Sequence, residues 1–185
     1  MLLLMFALFM APLALAFWLY YGSEWRPRGT TNNGTLIEPA RALPTVALQR
    51  ADGAVASTEL LHGKWSLVVI ADGACSELCQ SNLNYARQTA LGLGRLQSRV
   101  QAVWLVNSHC CDSEITRRVA TDMLILNGSS NAAAALLNVF PATDRERMIF
   151  VVDPLGFLMM RYDTRREPKG LRLDLKHLLD LSQIG

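Results

Sequence analysis

The segment Met1 to Tyr21 carries no charged side chain, and Pro12 is the only residue in it that is not apolar. Roughly 20 apolar residues in helical form cross the ~30 Å hydrocarbon core of a bilayer. This opening therefore constrains the chain before any other feature does. Trp18, Tyr20 and Tyr21 close it at the outer end, where amphipathic rings favour the membrane–water interface. We read Met1–Tyr21 as a single uncleaved transmembrane anchor. Two other readings share its features: Ala14-Leu15-Ala16 has the small-x-small form of a signal-peptidase site, and a run this apolar also suits a buried core helix. No Lys or Arg precedes the segment while Arg26 and Arg28 follow it, so the positive-inside count taken alone leaves the downstream domain cytoplasmic.

From residue 22 to residue 44 the chain turns polar and irregular, with Pro27, Gly29, Asn32, Asn33, Gly34 and Pro39 in neither a helical nor a strand period. We read 22–44 as an extended tether and 45–185 as one folded domain, with no internal repeat. Lys and Arg number 18 against 16 Asp and Glu, a net charge of +2, which is too even a balance for electrostatic capture of nucleic acid.

Within the domain, 46–48 and 55–56 around Asp52-Gly53 predict a β-hairpin, because Asp-Gly adopts positive φ cheaply. Trp65-Ser66-Leu67-Val68-Val69-Ile70-Ala71 is a near-continuous apolar run, as expected of a strand covered on both faces. After Asp72-Gly73-Ala74, the residues Cys79, Leu83, Ala86, Ala90 and Leu93 recur at steps of four and three, predicting a long helix up to about Leu96 with one apolar stripe. A second buried strand follows at 100–106, then a short helix near 113–121, a third strand at 123–126 and a helix at 132–140. A hairpin is expected from 147–152 and 157–162 around Asp153-Pro154-Leu155-Gly156, and a closing amphipathic helix at 171–181. That order describes an α/β, thioredoxin-like fold, with parallel strands flanked by helices and an antiparallel hairpin completing the sheet. Right-handed crossovers place the loops after the first two parallel strands at one sheet edge, where Cys75, Cys79, Cys110 and Cys111 converge.

Cys75-Ser76-Glu77-Leu78-Cys79 sets two thiols four residues apart at a helix start, where free N–H groups and the positive dipole end stabilise a thiolate on Cys75. Cys75 is expected to be the more reactive of the two, since Cys79 lies on the apolar stripe. Such a pair closes a disulfide or offers two soft ligands to Cu(I). The plainer alternative is that Cys79 is a small buried hydrophobe and Cys75 incidental. His109-Cys110-Cys111 adds an imidazole and two thiols, all metal-capable, against the alternative of thiols lining a loop without chemistry. Adjacent cysteines do not form an unstrained disulfide with each other, so each needs another partner, Cys75 and Cys79 among them. His62 reads as a turn residue and His177 as the border of the last helix. No phosphate-loop, zinc-protease or nucleophile-elbow motif is present.

The tether T-N-N-G-T-L-I-E-P, the run L-x-G-K-W-S-L-V-V-I, the pair C-S-E-L-C and the later I-F-V-V-D-P-L-G, behind a membrane anchor, together resemble the SCO/SenC-like group of thioredoxin-fold proteins that assist cytochrome c oxidase assembly. The likeness spans nearly the whole chain and is nearest to divergent proteobacterial members. It implies a single-pass protein of the bacterial inner membrane with its domain in the periplasm, whose partners are oxidase subunits or assembly factors. It further implies copper held by the two cysteines, here Cys75 and Cys79, and a distant histidine. The family's pattern puts Arg145 at or near that histidine's place, and a guanidinium cannot ligate copper. His109 is the available substitute. The alternatives are an anchored thiol–disulfide oxidoreductase, in which Cys75 attacks and Cys79 resolves, and a thioredoxin-like interaction module without catalysis. Between Thr143 and Val152 there is no proline to act as the cis-proline that thioredoxin-type oxidoreductases set beside their cysteines.

Overall fold

In the computed structural model, which describes residues 1–22, 32–110, 114–165, 169–182 and 184, the chain divides into two units, Met1–Thr31 and Asn32–Gly185. The first holds α1 (Leu2–Tyr21), a helix that continues through Pro12. At 1.5 Å per residue it is about 30 Å long, and Leu4–Tyr21 has a mean hydropathy of 1.8, long and apolar enough to cross a membrane.

The second unit contains β1 (Thr35–Ala42), β2 (Ala47–Arg50), β3 (Val55–Ser57), β4 (Trp65–Ala71), α2 (Glu77–Leu91), β5 (Val100–Val106), α3 (Glu114–Val119), β6 (Leu124–Asn127), α4 (Ala134–Val139), β7 (Met148–Val152), β8 (Phe157–Asp163) and α5 (Gly170–Leu181). The strands form one sheet in the order β1-β8-β7-β4-β5-β6-β2-β3. Strands β4, β5 and β6 run parallel, while β7 and β8 continue the sheet antiparallel from β4. This is the thioredoxin-like arrangement that the element order implied.

The period of two along each central strand divides the interior into two cores. Trp65, Leu67 and Val69 of β4, with Trp104 of β5 and Ile149 of β7, face the layer of α2 and α5. Val68, Ile70, Leu105 and Phe150 face the other side, where Leu136 and Phe140 cover them. Every residue of β4 is buried, which explains why its sequence lacks polar alternation. Each fully buried Val or Leu contributes about 1.5–3 kcal/mol of transfer free energy, so the cores hold rigid the strand ends from which the functional loops emerge.

Two boundaries differ from the sequence reading. The part of the expected tether from Asn32 onward belongs to the folded unit, because Thr35–Ala42 pairs antiparallel with β8. Its pattern did not read as a strand because β1 lies at the sheet edge and Ile37 is its only buried residue. Residues 23–31 of the expected tether lie outside the described residues. Helix α2 ends at Leu91, earlier than the stripe suggested: Gly92 caps it, and Gly94, at φ +59°, turns the chain into a 3-10 segment, Gly94–Arg99.

Candidate functional site at the carboxyl edge of β4 and β5

Strands β4 and β5 are paired to their last residues, Ala71 with Val106, so the loops that follow leave the sheet side by side. The Gly73 N–H donates to the Ser108 carbonyl at 2.8 Å, and the Asn107 N–H to that of Ala71 at 3.1 Å. The approach is so close that a Cβ on Gly73 would overlap the His109 carbonyl. Asp72 joins the two loops. Its Oδ1 accepts from the Ala74 N–H at 2.6 Å, and its Oδ2 accepts from the Ser108 hydroxyl at 2.5 Å and lies 2.8 Å from His109 Nδ1. These contacts, Ser108 first, then His109 and the Ala74 amide, hold the Asp72 carboxyl down at about 2.

Local sequence explains the geometry of the cysteines. The Cys75 N–H closes a turn onto the Asp72 carbonyl at 3.0 Å, and Cys75 takes a left-handed φ of 46°. Ser76 then caps α2, its hydroxyl accepting from the Cys79 N–H at 3.3 Å, and Glu77 places a negative charge in the first turn. The cap and the turn bring Cys75 and Cys79 together as a disulfide with Cα atoms 5.2 Å apart. Both residues are buried, Cys75 at 3% and Cys79 at 2% exposure. The disulfide is one of the two states that the spacing allowed; Cys75 precedes the helix, and in this oxidised state it packs into the same core as Leu83 and Ala86.

The remaining residues singled out from the sequence fall as follows. Cys110 is itself disulfide-bonded and packs against the core that contains Cys75 and Cys79. Cys111 lies outside the described residues. The His109 side chain is 83% exposed and is directed to Asp72. Among the described residues there is no group of three or more His, Cys, Asp or Glu side chains placed to hold a metal ion. His62 sits against the Gly156 turn and His177 lies in α5, both exposed.

Arg145 lies in the 3-10 turn before β7. Its guanidinium donates to the carbonyls of Phe140 at 2.8 Å and Pro141 at 3.3 Å. With Leu78, Asn107 and Arg147 it lines a surface pocket of about 500 Å³. Buried Asn82 fixes this turn against α2, donating to the Glu146 carbonyl at 3.1 Å while accepting from the Thr164 hydroxyl at 2.7 Å. The one cis peptide bond among the described residues, Glu38-Pro39, lies in β1. Asp72, Gly73 and Asn82 were not marked as site residues by sequence. The break Asp72-Gly73 directly between a buried strand and Cys75 was the available signal for the first two.

Residues 65–182 match the profile of a family described as "transmembrane-like, thioredoxin-like, C-terminal domain". The chain belongs to this family. The transmembrane-like, thioredoxin-like chain also shares its fold with solved Sco proteins. One is yeast Sco1, 15% identical, with a TM-score of 0.65 over 79% of this chain and 98% of that one. Another is copper-bound ScoI of Bradyrhizobium japonicum, 18% identical, with a TM-score of 0.56 over 74% and 98%. A third is BsSco, a member of the Sco family of cytochrome c oxidase assembly proteins in which a disulfide switch was identified, 15% identical, with a TM-score of 0.56 over 78% and 96%. No curated protein sequence matches the chain.

Proposed function

We propose that this chain is a membrane-anchored accessory factor for assembly of a cytochrome c (haem-copper) oxidase, working through the Cys75–Cys79 pair. The single observation that carries the reading is the closed disulfide at the capped start of α2, on a fold shared with copper-bound and disulfide-switching Sco proteins. Helix α1 is the single-pass anchor in the bacterial inner membrane, and the domain works in the periplasm, where a disulfide persists. Oxidase subunits or other assembly factors are its partners.

Copper enters this proposal as cargo. Two electrons from an external dithiol, itself oxidised to a disulfide, open the pair to two thiolates, which suit Cu(I). Arg145 has no lone pair to offer in place of an imidazole, and its guanidinium is engaged with the Phe140 and Pro141 carbonyls. His109 is turned to Asp72, and Cys110 is not a free thiol in this state. The donor set therefore favours Cu(I) and disfavours Cu(II). An anchored oxidoreductase would use the same two sulfurs, with Cys75 attacking and Cys79 resolving, but the burial of both gives a client disulfide poor access.

The test is a Cu(I) titration of the reduced full chain against a competing chelator, together with oxidase copper content in cells lacking the chain. Binding should disappear in Cys75→Ser and in Cys79→Ser and persist in His62→Ala and His177→Ala. A wild-type chain that binds no Cu(I), and whose Cys75→Ser form still supports oxidase assembly, would sink the proposal and leave the interaction-module reading. A reporter active only in the cytoplasm, fused after Gly185, should be silent; strong activity would place the domain in the cytoplasm.

A further inference from the structure

At the opposite edge of the sheet, where β4, β5 and β6 begin, Arg50, Lys64, Arg87 and Arg95 line one groove of about 690 Å³, and Asp122 is the only carboxylate among its described lining residues. That carboxylate is already used. Arg87 Nε donates to Asp122 Oδ2 at 2.8 Å, and Arg87 Nη2 reaches the same oxygen. Arg50 lies 3.8 Å from Asp52, but both side chains are about half exposed or more, so the contact contributes little. Lys64 and Arg95 form no ion pair among the described residues. In a chain whose net charge is only +2, three cations without a strong partner are thus gathered at one concavity.

The backbone leaves the Gly94 side of this groove open. Leu93 is right-handed, at φ −82° and ψ −2°, and Gly94 follows at φ +59°. This alternation ends α2, with the Leu93 N–H turned back to the Ala90 carbonyl at 3.4 Å, and carries the chain past the rim of the groove. Gly94 and Arg95 both line the groove, and no atom stands within 4 Å of where a Gly94 Cβ would lie.

We infer that this groove binds a phosphate-bearing ligand. A carboxylate carries a single charge and would leave two of the three cations unanswered. A phosphate monoester carries about −1.5 to −2 and three acceptor oxygens, and guanidinium forks match phosphate geometry in bidentate fashion. The volume falls in the range of about 300–1,000 Å³ of small-molecule sites, which favours a phosphate attached to a second phosphate or an organic group. Two sources share this chemistry: the monoester headgroup of phosphatidic acid and a soluble polyphosphate or organophosphate. The site lies at the other end of the strands from Cys75 and Cys79, so it stands or falls independently of the function proposed above.

The test uses the full, disulfide-intact chain in phosphatidylcholine nanodiscs, with acylation of Lys64 followed by mass spectrometry and Lys169 and Lys176 as internal references. Pyrophosphate should slow Lys64 labelling about tenfold and leave the references unchanged. Because a hydrogen bond to a charged group is worth about 1.5–3 kcal/mol, the exposed substitution Arg95→Ala should weaken the protection at least about tenfold. Replacing pyrophosphate by phosphatidic acid, a lipid whose phosphate is a monoester, in the nanodisc distinguishes the sources: protection then identifies a lipid headgroup, and its absence, with pyrophosphate still protecting, identifies a soluble phosphate. If neither protects Lys64, or if sodium chloride at matched ionic strength protects it equally, the groove is a screened surface and the inference is overturned.

Discussion

Asp174 ties the entrance of the folded unit to its last helix, and removing its carboxylate should be among the most damaging single changes in the domain. The residue is only 8% exposed. Its Oδ2 accepts from the backbone N–H groups of Asn33 and Gly34 at 2.7 and 3.0 Å and from the Tyr162 hydroxyl at 2.7 Å, while Oδ1 accepts from Asn33 Nδ2 at 2.7 Å. A Cβ on Gly34 would collide with the Tyr162 ring, so the segment can approach only as glycine. In Asp174→Ala these donors lose their acceptor; each deprived buried donor costs about 1–3 kcal/mol, reduced where water enters the gap. Breaking a buried charged interaction from one side typically costs about 3–5 kcal/mol in total. For a domain of this size each kcal/mol lowers Tm by about 2–4 °C, so a fall of about 6–20 °C is expected by near-UV circular dichroism of the full chain. Asp174→Asn keeps the volume but presents an amide N–H to a ring of donors, and should recover less than half of the loss. The exposed Asp180→Ala should change Tm by no more than about 2 °C, since surface substitutions stay within about 0.5 kcal/mol. A shift below about 3 °C in both Asp174 variants would refute this account of the network.

Three further outcomes follow from the same geometry. Burial, then the hydrogen bond to Asp174 and its charge, push the Tyr162 phenol above its ordinary 10.0, so its contribution is complete below about pH 10 and is lost as pH rises beyond it. Urea midpoints measured from about pH 9 to about 11 should fall less steeply in Tyr162→Phe, and an identical slope would show that the phenol is not responsible. Gly73→Ala should destabilise the domain by about 2 kcal/mol or more, because its Cβ would meet backbone at His109 rather than a movable side chain; an unchanged Tm would mean that the two loops separate at little cost. Without reductant, alkylation of Cys75 and Cys79 should be negligible, and after reduction Cys75, ahead of the helix, should label first; faster labelling of Cys79 would contradict the assigned helix start.

The strands that organise the site were legible because burial on both faces leaves almost no polar residues, Ser66 and Gln101 alone: the run 65–71 and the run 100–106 coincide with β4 and β5. The stripe from Cys79 through Leu83 to Ala90 located the buried face of α2, and the Cys75–Cys79 spacing already contained a possible disulfide. Composition alone made Met1–Tyr21 a candidate span, since a run of apolar residues needs no partner to declare its preference. What sequence did not reveal depends on contacts between segments far apart in the chain. Strand β1 buries only Ile37 and is defined by pairing with β8, so its local pattern resembled a tether. Asp72 gains its role from Ser108 and His109, which stand beside it only once β4 and β5 are in register. The basic groove is likewise assembled from Arg50, Lys64 and Arg95, each an ordinary surface residue within its own segment. Periodicity reports how each segment meets solvent, whereas the neighbours that set an ionisable group's chemistry are chosen by the topology of the sheet.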